Sequence, residues 1–227
     1  MIMKNYIDTK IFYKNGILTM KILRIPLLLL SSFLFPLSSD LLAQPERFLP
    51  GRDFTVIENP LPDRTPDAIE VTEYFWYGCP GCFQFEPQLA NWIEQQDESV
   101  VCLRLPAIWD DWREVHARAY YTARSLGVLE DMHLKIFDAM HLLGNRLRDE
   151  EELKQLFTEH GINEDEFSKA YNSFTVNSEI NRAKNQAIQA GARSTPSLIV
   201  NGKYLVSLSG ETLDIVDFLV NKEKALL

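Results

Sequence analysis

Val71-Thr72-Glu73-Tyr74-Phe75-Trp76-Tyr77-Gly78-Cys79-Pro80-Gly81-Cys82-Phe83-Gln84-Phe85-Glu86 changes its periodicity part-way along. Up to Tyr77 the residues are β-branched or aromatic with one acid, and they read as a central strand over 68–77. From Pro80 the chain turns amphipathic through Leu89, Trp92 and Ile93, and reads as a helix over 80–96. Pro80 falls near the first helical position, where a missing N–H costs nothing. Pro87 lies inside the helix and is expected to kink it. Cys79 and Cys82 thus stand at a strand-to-helix junction, where a protein keeps a disulfide that it can give away.

The chemistry follows from the helix end. Cys79 sits just ahead of the first turn, so its sulfur can face solvent and feel the unpaired N–H groups and the helix dipole. Cys82 lies one turn in and points back toward it. Cys79 reads as the nucleophile and Cys82 as the partner that resolves a mixed disulfide. If the Cys79 pKa lies near 5 instead of near 8.5, ionisation stabilises the reduced form at pH 7 by roughly 2.7 kcal/mol, about 60 mV of added oxidising power. The competing reading of Cys-x-x-Cys is half of a zinc site. A second such pair or a closely spaced histidine pair is missing, so neither metal nor cofactor is expected. The histidines, His116, His133, His141 and His160, are scattered; His133 and His141 could share a helix face, but nothing pairs them with the cysteines. Three cysteines are few for a disulfide-stapled scaffold, which makes a purely structural bridge the weaker reading.

Upstream, 44–67 hold five prolines around Phe54-Thr55-Val56-Ile57-Glu58, an extended lead-in with one edge strand. Downstream, 100–105 read as a strand closed by Pro106. Helical patterns then run from Trp112 to Ala190, as segments near 115–126, 129–143, 149–161, from Asn163, and 176–190. Stops fall at Gly127, Gly144, Gly161 and Gly191. Ser197-Leu198-Ile199-Val200 and Tyr204-Leu205-Val206 flank Asn201-Gly202, a strong hairpin signal. A last helix covers 211–222. The order is β-β-α-β, a helical block, then β-β-α, which implies an α/β fold: a mixed sheet with helices inserted between its halves.

The N-terminus reads as a targeting segment over 1–43. Lys21 and Arg24 precede an apolar run from Ile25 to Leu37, a candidate cut follows Ala43, and Met20 is a candidate start. Prolines and serines interrupt the run, which is short for a membrane span. The whole chain has 227 residues, 46% hydrophobic and 24% charged, with a net charge of −9. Removing 1–43 takes away five basic and two acidic residues and leaves a net charge of −12. So acidic a protein repels nucleic acid and anionic headgroups.

Glu73-Tyr-Phe-Trp-Tyr-Gly-Cys79-Pro-Gly-Cys82-Phe-Gln-Phe-Glu resembles the active-site segment of DsbA-type thiol:disulfide interchange proteins. Ser194-Thr195-Pro196-Ser197 and Val200-Asn201-Gly202-Lys203-Tyr204 resemble that family's second signature, and the helical block has the length of its insertion. The likeness covers 54–222. It implies a thioredoxin-like fold in parts 44–107 and 191–227, with an all-helical domain over 108–190. It also implies a periplasmic location, oxidation of newly exported proteins that are reduced and unfolded, and reoxidation by a DsbB-type quinone-linked membrane partner. Pro196 matches the family's cis-proline, which presents the Thr195 backbone to an extended client. Glu73 matches a buried acid, whose pKa would be raised and which could exchange protons with Cys82. Pro80 and Gly81 complete the site.

Two departures bear on the chemistry. Many relatives carry His where this chain has Gly81, so no imidazolium stands near the thiolate and a less oxidising centre is expected. Cys102 falls where some relatives place a lysine; it reads as a small core residue. Trp76 and Phe83 read as packing. The leading reading is a monomeric dithiol oxidase. A reductase or isomerase of the same fold and a binding protein with a structural disulfide are the alternatives; the isomerase usually needs a dimerisation module, and none is seen ahead of residue 54.

Overall fold

A strand whose every side chain is buried belongs at the centre of a sheet covered on both faces. In a computed structural model, which describes residues 46–62, 65 and 67–226, Ile69–Phe75 (β2) is such a strand. The targeting segment at 1–43 lies outside the described residues. Val100–Pro106 (β3) pairs parallel with β2 on one side, and Ser197–Val200 (β4) pairs antiparallel on the other. Tyr204–Ser207 (β5) and Thr55–Val56 (β1) extend the sheet beyond β4, giving the order β1-β5-β4-β2-β3. β1 is the edge strand foreseen over 54–58, cut to two residues. Phe54 instead bridges to Pro50, and Pro60 and Pro62 carry no N–H with which to extend the ladder.

Helix α1, Pro80–Glu94, follows β2 and holds Pro87 inside it. Its Phe85, Leu89 and Trp92 pack with Val71, Leu198 and Val200 of the sheet and with Ile215 and Leu219 of the last helix. The Trp92 indole N–H donates to Asp217 at 2.7 Å, tying the two helices on this face. Five helices lie in sequence between β3 and β4: α2 (Asp111–Ser125), α3 (Leu129–His141), α4 (Glu150–Glu159), α5 (Glu164–Tyr171) and α6 (Phe174–Ala190). α7, Thr212–Lys224, closes the fold. A second core joins Tyr74, Phe75 and Ile199 of the sheet to Phe137, Phe157 and Phe167 of the helical block.

Local chemistry explains these helix starts. Asp110, Asp149, Asn163 and Ser173 each cap a helix by accepting a first-turn N–H, a contact worth about 1 kcal/mol apiece. The Asp110 cap starts α2 four residues ahead of the apolar pattern at Val115. At the β4–β5 hairpin, Asn201 and Gly202 take φ +49° and +64°, the left-handed pair that a tight turn of this hand requires. A Cβ on Gly202 would lie 2.8 Å from the Leu61 carbonyl oxygen. Gly202→Ala is therefore expected to destabilise the protein by about 1–3 kcal/mol, read as a lower urea midpoint at unchanged slope.

Candidate active site

The β2 and β4 ladders set the geometry. Tyr74 stands opposite Ser197, so the end of β2 and the turn ahead of β4 lie side by side. That turn contains a cis peptide bond between Thr195 and Pro196. Past β2 the chain turns through Gly78, where a Cβ would meet the Trp76 ring at 2.3 Å, so any side chain there would push that ring aside. Cys79 then takes an extended conformation as the N-cap of α1, its N–H donating to the Trp76 carbonyl at 2.9 Å. Its sulfur lies 3.3 Å from the Thr195 carbonyl oxygen. Gly81, Thr195 and Pro196 thus lie close to one sulfur, with Pro80 next to it in the chain as the first residue of α1. A Cβ on Gly81 would stand 3.7 Å from that sulfur and 3.3 Å from Pro196.

Cys79 is partly exposed and Cys82 fully buried, and the two are not bridged to each other. The hydrogen bond from the Cys82 thiol does most to bring the Cys79 pKa down to about 5. Desolvation opposes this, while the Thr195 side chain and the N–H groups of Cys82 and Gly81 add to it. The same thiol–thiol hydrogen bond, then burial and the charge of Glu73, push Cys82 far above the usual thiol range. The two sulfurs are therefore unequal by construction: one ionised at neutrality, the other a proton holder.

Glu73 is buried inside β2, opposite Arg104 in the parallel ladder. The Arg104 Nε lies 3.4 Å from Glu73 Oε2, and its Nη2 bonds Glu86. Glu86 in turn meets His133 Nε2 at 3.4 Å. Burial, reinforced by the Glu86 charge, raises the Glu73 pKa to about 8 against the pull of Arg104. Burial acts on Glu86 in the same sense, but His133 and Arg104 outweigh it and hold that carboxyl below its ordinary value. One guanidinium cannot keep both acids ionised in so dry a place, and Glu86, with a second partner, keeps the charge. A cavity of about 370 Å³, lined by Glu73, Glu86, Arg104, His133 and Cys102 among others, adjoins this network.

Residues 101–216 match the family model of the DSBA-like thioredoxin domain. The thiol:disulfide interchange protein DsbA of Pseudomonas aeruginosa PAO1 is 34% identical over 188 residues, spanning 81% of this chain and 89% of the relative. That of Azotobacter vinelandii is 37% identical over 180 residues, 77% and 84% of the two chains. The chain belongs to the DsbA family. The crystal structure of P. aeruginosa DsbA matches with a TM-score of 0.75 at 34% identity, covering 79% of this chain and 96% of that one. DsbA from Xylella fastidiosa gives 0.75 at 31% identity, over 78% and 98%. Like its DsbA relatives, the protein is a thiol:disulfide oxidoreductase with a thioredoxin-like fold.

Within this DsbA frame, Cys102 faces Val71 across the ladder, partly buried, and burial raises its thiol to about 11. The residue that confronts the buried acid is Arg104, two positions on. Sequence reasoning passed over Arg104 and Glu86; the alternation of β3, which points Cys102 and Arg104 to one face, was the available signal. It also left the histidines unassigned, although three of them contact Trp76, Tyr77 or Glu86.

The titration of Glu73 has a defined sign. Its folded pKa lies above the unfolded value, so its contribution to stability is fully present below about 4.5 and is lost as pH rises toward about 8. Glu73→Gln is expected to gain about 4 kcal/mol over the parent near pH 8 and nothing near pH 4, measured by urea unfolding of the oxidised form.

Proposed function

We propose that the Cys79–Cys82 disulfide is donated to reduced, unfolded proteins newly exported to the periplasm. The observation that carries this reading is the Cys79 sulfur held at about 5 by the donors around it. A thiolate favoured at pH 7 stabilises the reduced pair, and a pair stable when reduced gives up its disulfide.

The chemistry runs in two exchanges. A client thiolate attacks the Cys79 sulfur; the S–S bond breaks, a mixed disulfide forms, and Cys82 leaves as a thiolate. Cys82 binds a proton more tightly than Glu73 does, so Glu73 gives up its proton to it. A second client thiolate then attacks the client sulfur of the mixed disulfide and expels Cys79 as a thiolate. The client loses two electrons and the cysteine pair gains them. The Thr195 backbone beside the cis-proline offers main-chain pairing to an extended client, which reads shape more than sequence and suits many substrates.

Reoxidation falls to a DsbB-type membrane partner linked to quinone. The chain acts as a monomer after cleavage near Ala43; no helix among the described residues is long and apolar enough to cross a membrane. The inserted helical domain spans 108–190 between the two parts of the thioredoxin-like domain, 44–107 and 191–227. The net charge of −12 left after cleavage disfavours nucleic acid as a partner.

The reading is tested by the glutathione equilibrium of the pair, with oxidation of a reduced unfolded client alongside. Cys79→Ser and Cys82→Ser should each abolish client oxidation, and a strongly reducing potential would reverse the assigned direction. The Cys79 pKa, depressed on folding, adds stability to the reduced form above its unfolded value of about 9, and that gain fades as pH falls through about 5. The reduced form should therefore melt above the oxidised form at pH 7, and the gap should close between pH 6 and about 4. Gly81→His places an imidazole beside the sulfur; it should lower the Cys79 pKa by about one unit and shift the equilibrium further toward client oxidation.

A further inference from the structure

The segment that delivers Cys79 to its donors is gripped from the helical block by histidines. The Trp76 indole N–H donates to His116 Nδ1 at 2.7 Å, and His116 Nε2 faces the carbonyls of Arg146 and Leu147 at 3.2 and 3.0 Å. The Tyr77 hydroxyl bonds His133 Nδ1 at 2.9 Å. His141 Nε2–H donates to the Tyr77 carbonyl at 2.7 Å. His133, Phe137 and His141 follow one another at four-residue steps, one stripe of α3.

That stripe touches the chain on both sides of the cysteine pair. Before it stands Tyr77, with its ring 5.0 Å from Phe137. After it stands Phe83, whose ring stacks on His141 at 4.7 Å and 9°. His141 therefore links the carbonyl two residues ahead of Cys79 to the side chain next to Cys82. Between those points the sheet no longer holds the backbone, since β2 has ended at Phe75 and Gly78 carries no side chain, and the Cys79 N–H bond to the Trp76 carbonyl closes the turn. The Cys79 sulfur must meet donors from α1 and from the Thr195 turn at once. Both depend on where residues 77–79 place it.

We propose that His141 is a positioning residue for Cys79: it holds the Tyr77 carbonyl and the Phe83 ring in register, and so sets how well the first turn of α1 and Thr195 solvate the thiolate. It acts on the sulfur through residues 77 and 83. The inference rests on the functional reading of Cys79 as a working thiolate. Its chemical logic is that a hydrogen bond to a charged acceptor weakens steeply as its geometry loosens.

His141→Ala, His141→Phe and His141→Gln in the otherwise unchanged protein separate the two contacts. Phe keeps a ring for the stack and loses the donor; Gln keeps an N–H donor and loses the ring. Cys79 is titrated by its ultraviolet thiolate absorbance, the pair is equilibrated with glutathione, and thermal unfolding of the reduced form is followed in parallel. The Ala and Phe variants are expected to raise the Cys79 midpoint by about one unit and to weaken oxidation of glutathione about tenfold, equivalent to about 30 mV. Gln is expected to restore most of both. Ala and Phe variants that titrate with the parent, whatever their melting temperature, overturn the inference. If the Ala variant does not fold, the contrast between Phe and Gln decides in the same way. A parent whose Cys79 is protonated at neutrality overturns the functional reading and this inference together, whereas an ionised parent with unmoved variants overturns this inference alone.

Discussion

The structure turns on the solvation of one sulfur atom by fixed donors. Cys79 is the N-cap of α1, yet no side chain caps that helix, so the orphan N–H groups of its first turn are left to the sulfur itself. Cys82 reaches back with its thiol, and the Thr195 side chain arrives from a turn more than a hundred residues away. Each donor is placed by a different part of the fold: the β2–α1 junction, the interior of α1, and the β2–β4 ladder. The thiolate is therefore a readout of whether the sheet, the active-site helix and the turn before β4 are all correctly assembled.

The acid network below the pair solves a complementary problem. In the proposed exchange, attack at Cys79 releases charge onto Cys82, which lies in a dry place that cannot hold it. Glu73, neutral through burial, stands in the strand beneath, while Arg104 spends its charge mainly on Glu86. The arrangement keeps one mobile proton close to the site without adding a second net charge to the core. That economy matters in a low dielectric, where an unpaired carboxylate would cost several kcal/mol.

What could be read in the chain beforehand was what local chemistry determines. Cys79-Pro80-Gly81-Cys82 at a change of period, the glycine-terminated helices and the Asn201-Gly202 turn all act within a few residues, and the structure has them where the pattern placed them. Pairings across the fold were less legible. The likeness to relatives drew attention to Cys102, but the parallel register sets Arg104 against Glu73, and no spacing in the sequence announces a register between residues 31 apart on two strands. His133 and His141 could be put on one helix face, yet their shared partner, Tyr77, lies in another layer and became visible only once α3 was seated against α1. Trp76 and Phe83 read correctly as packing residues; their polar and stacked partners did not.

Cys102 carries a quieter implication. A catalyst that hands out disulfides and bears an odd number of cysteines risks becoming its own customer, through an internal swap that would trap Cys79 or Cys82 in a dead-end bond. Here the bystander is set one strand away, half sheltered, with its proton held to about 11. A sulfur that does not ionise does not attack, so burial in β3 serves as insulation, and the wiring of the redox pair stays private while its disulfide is offered to others.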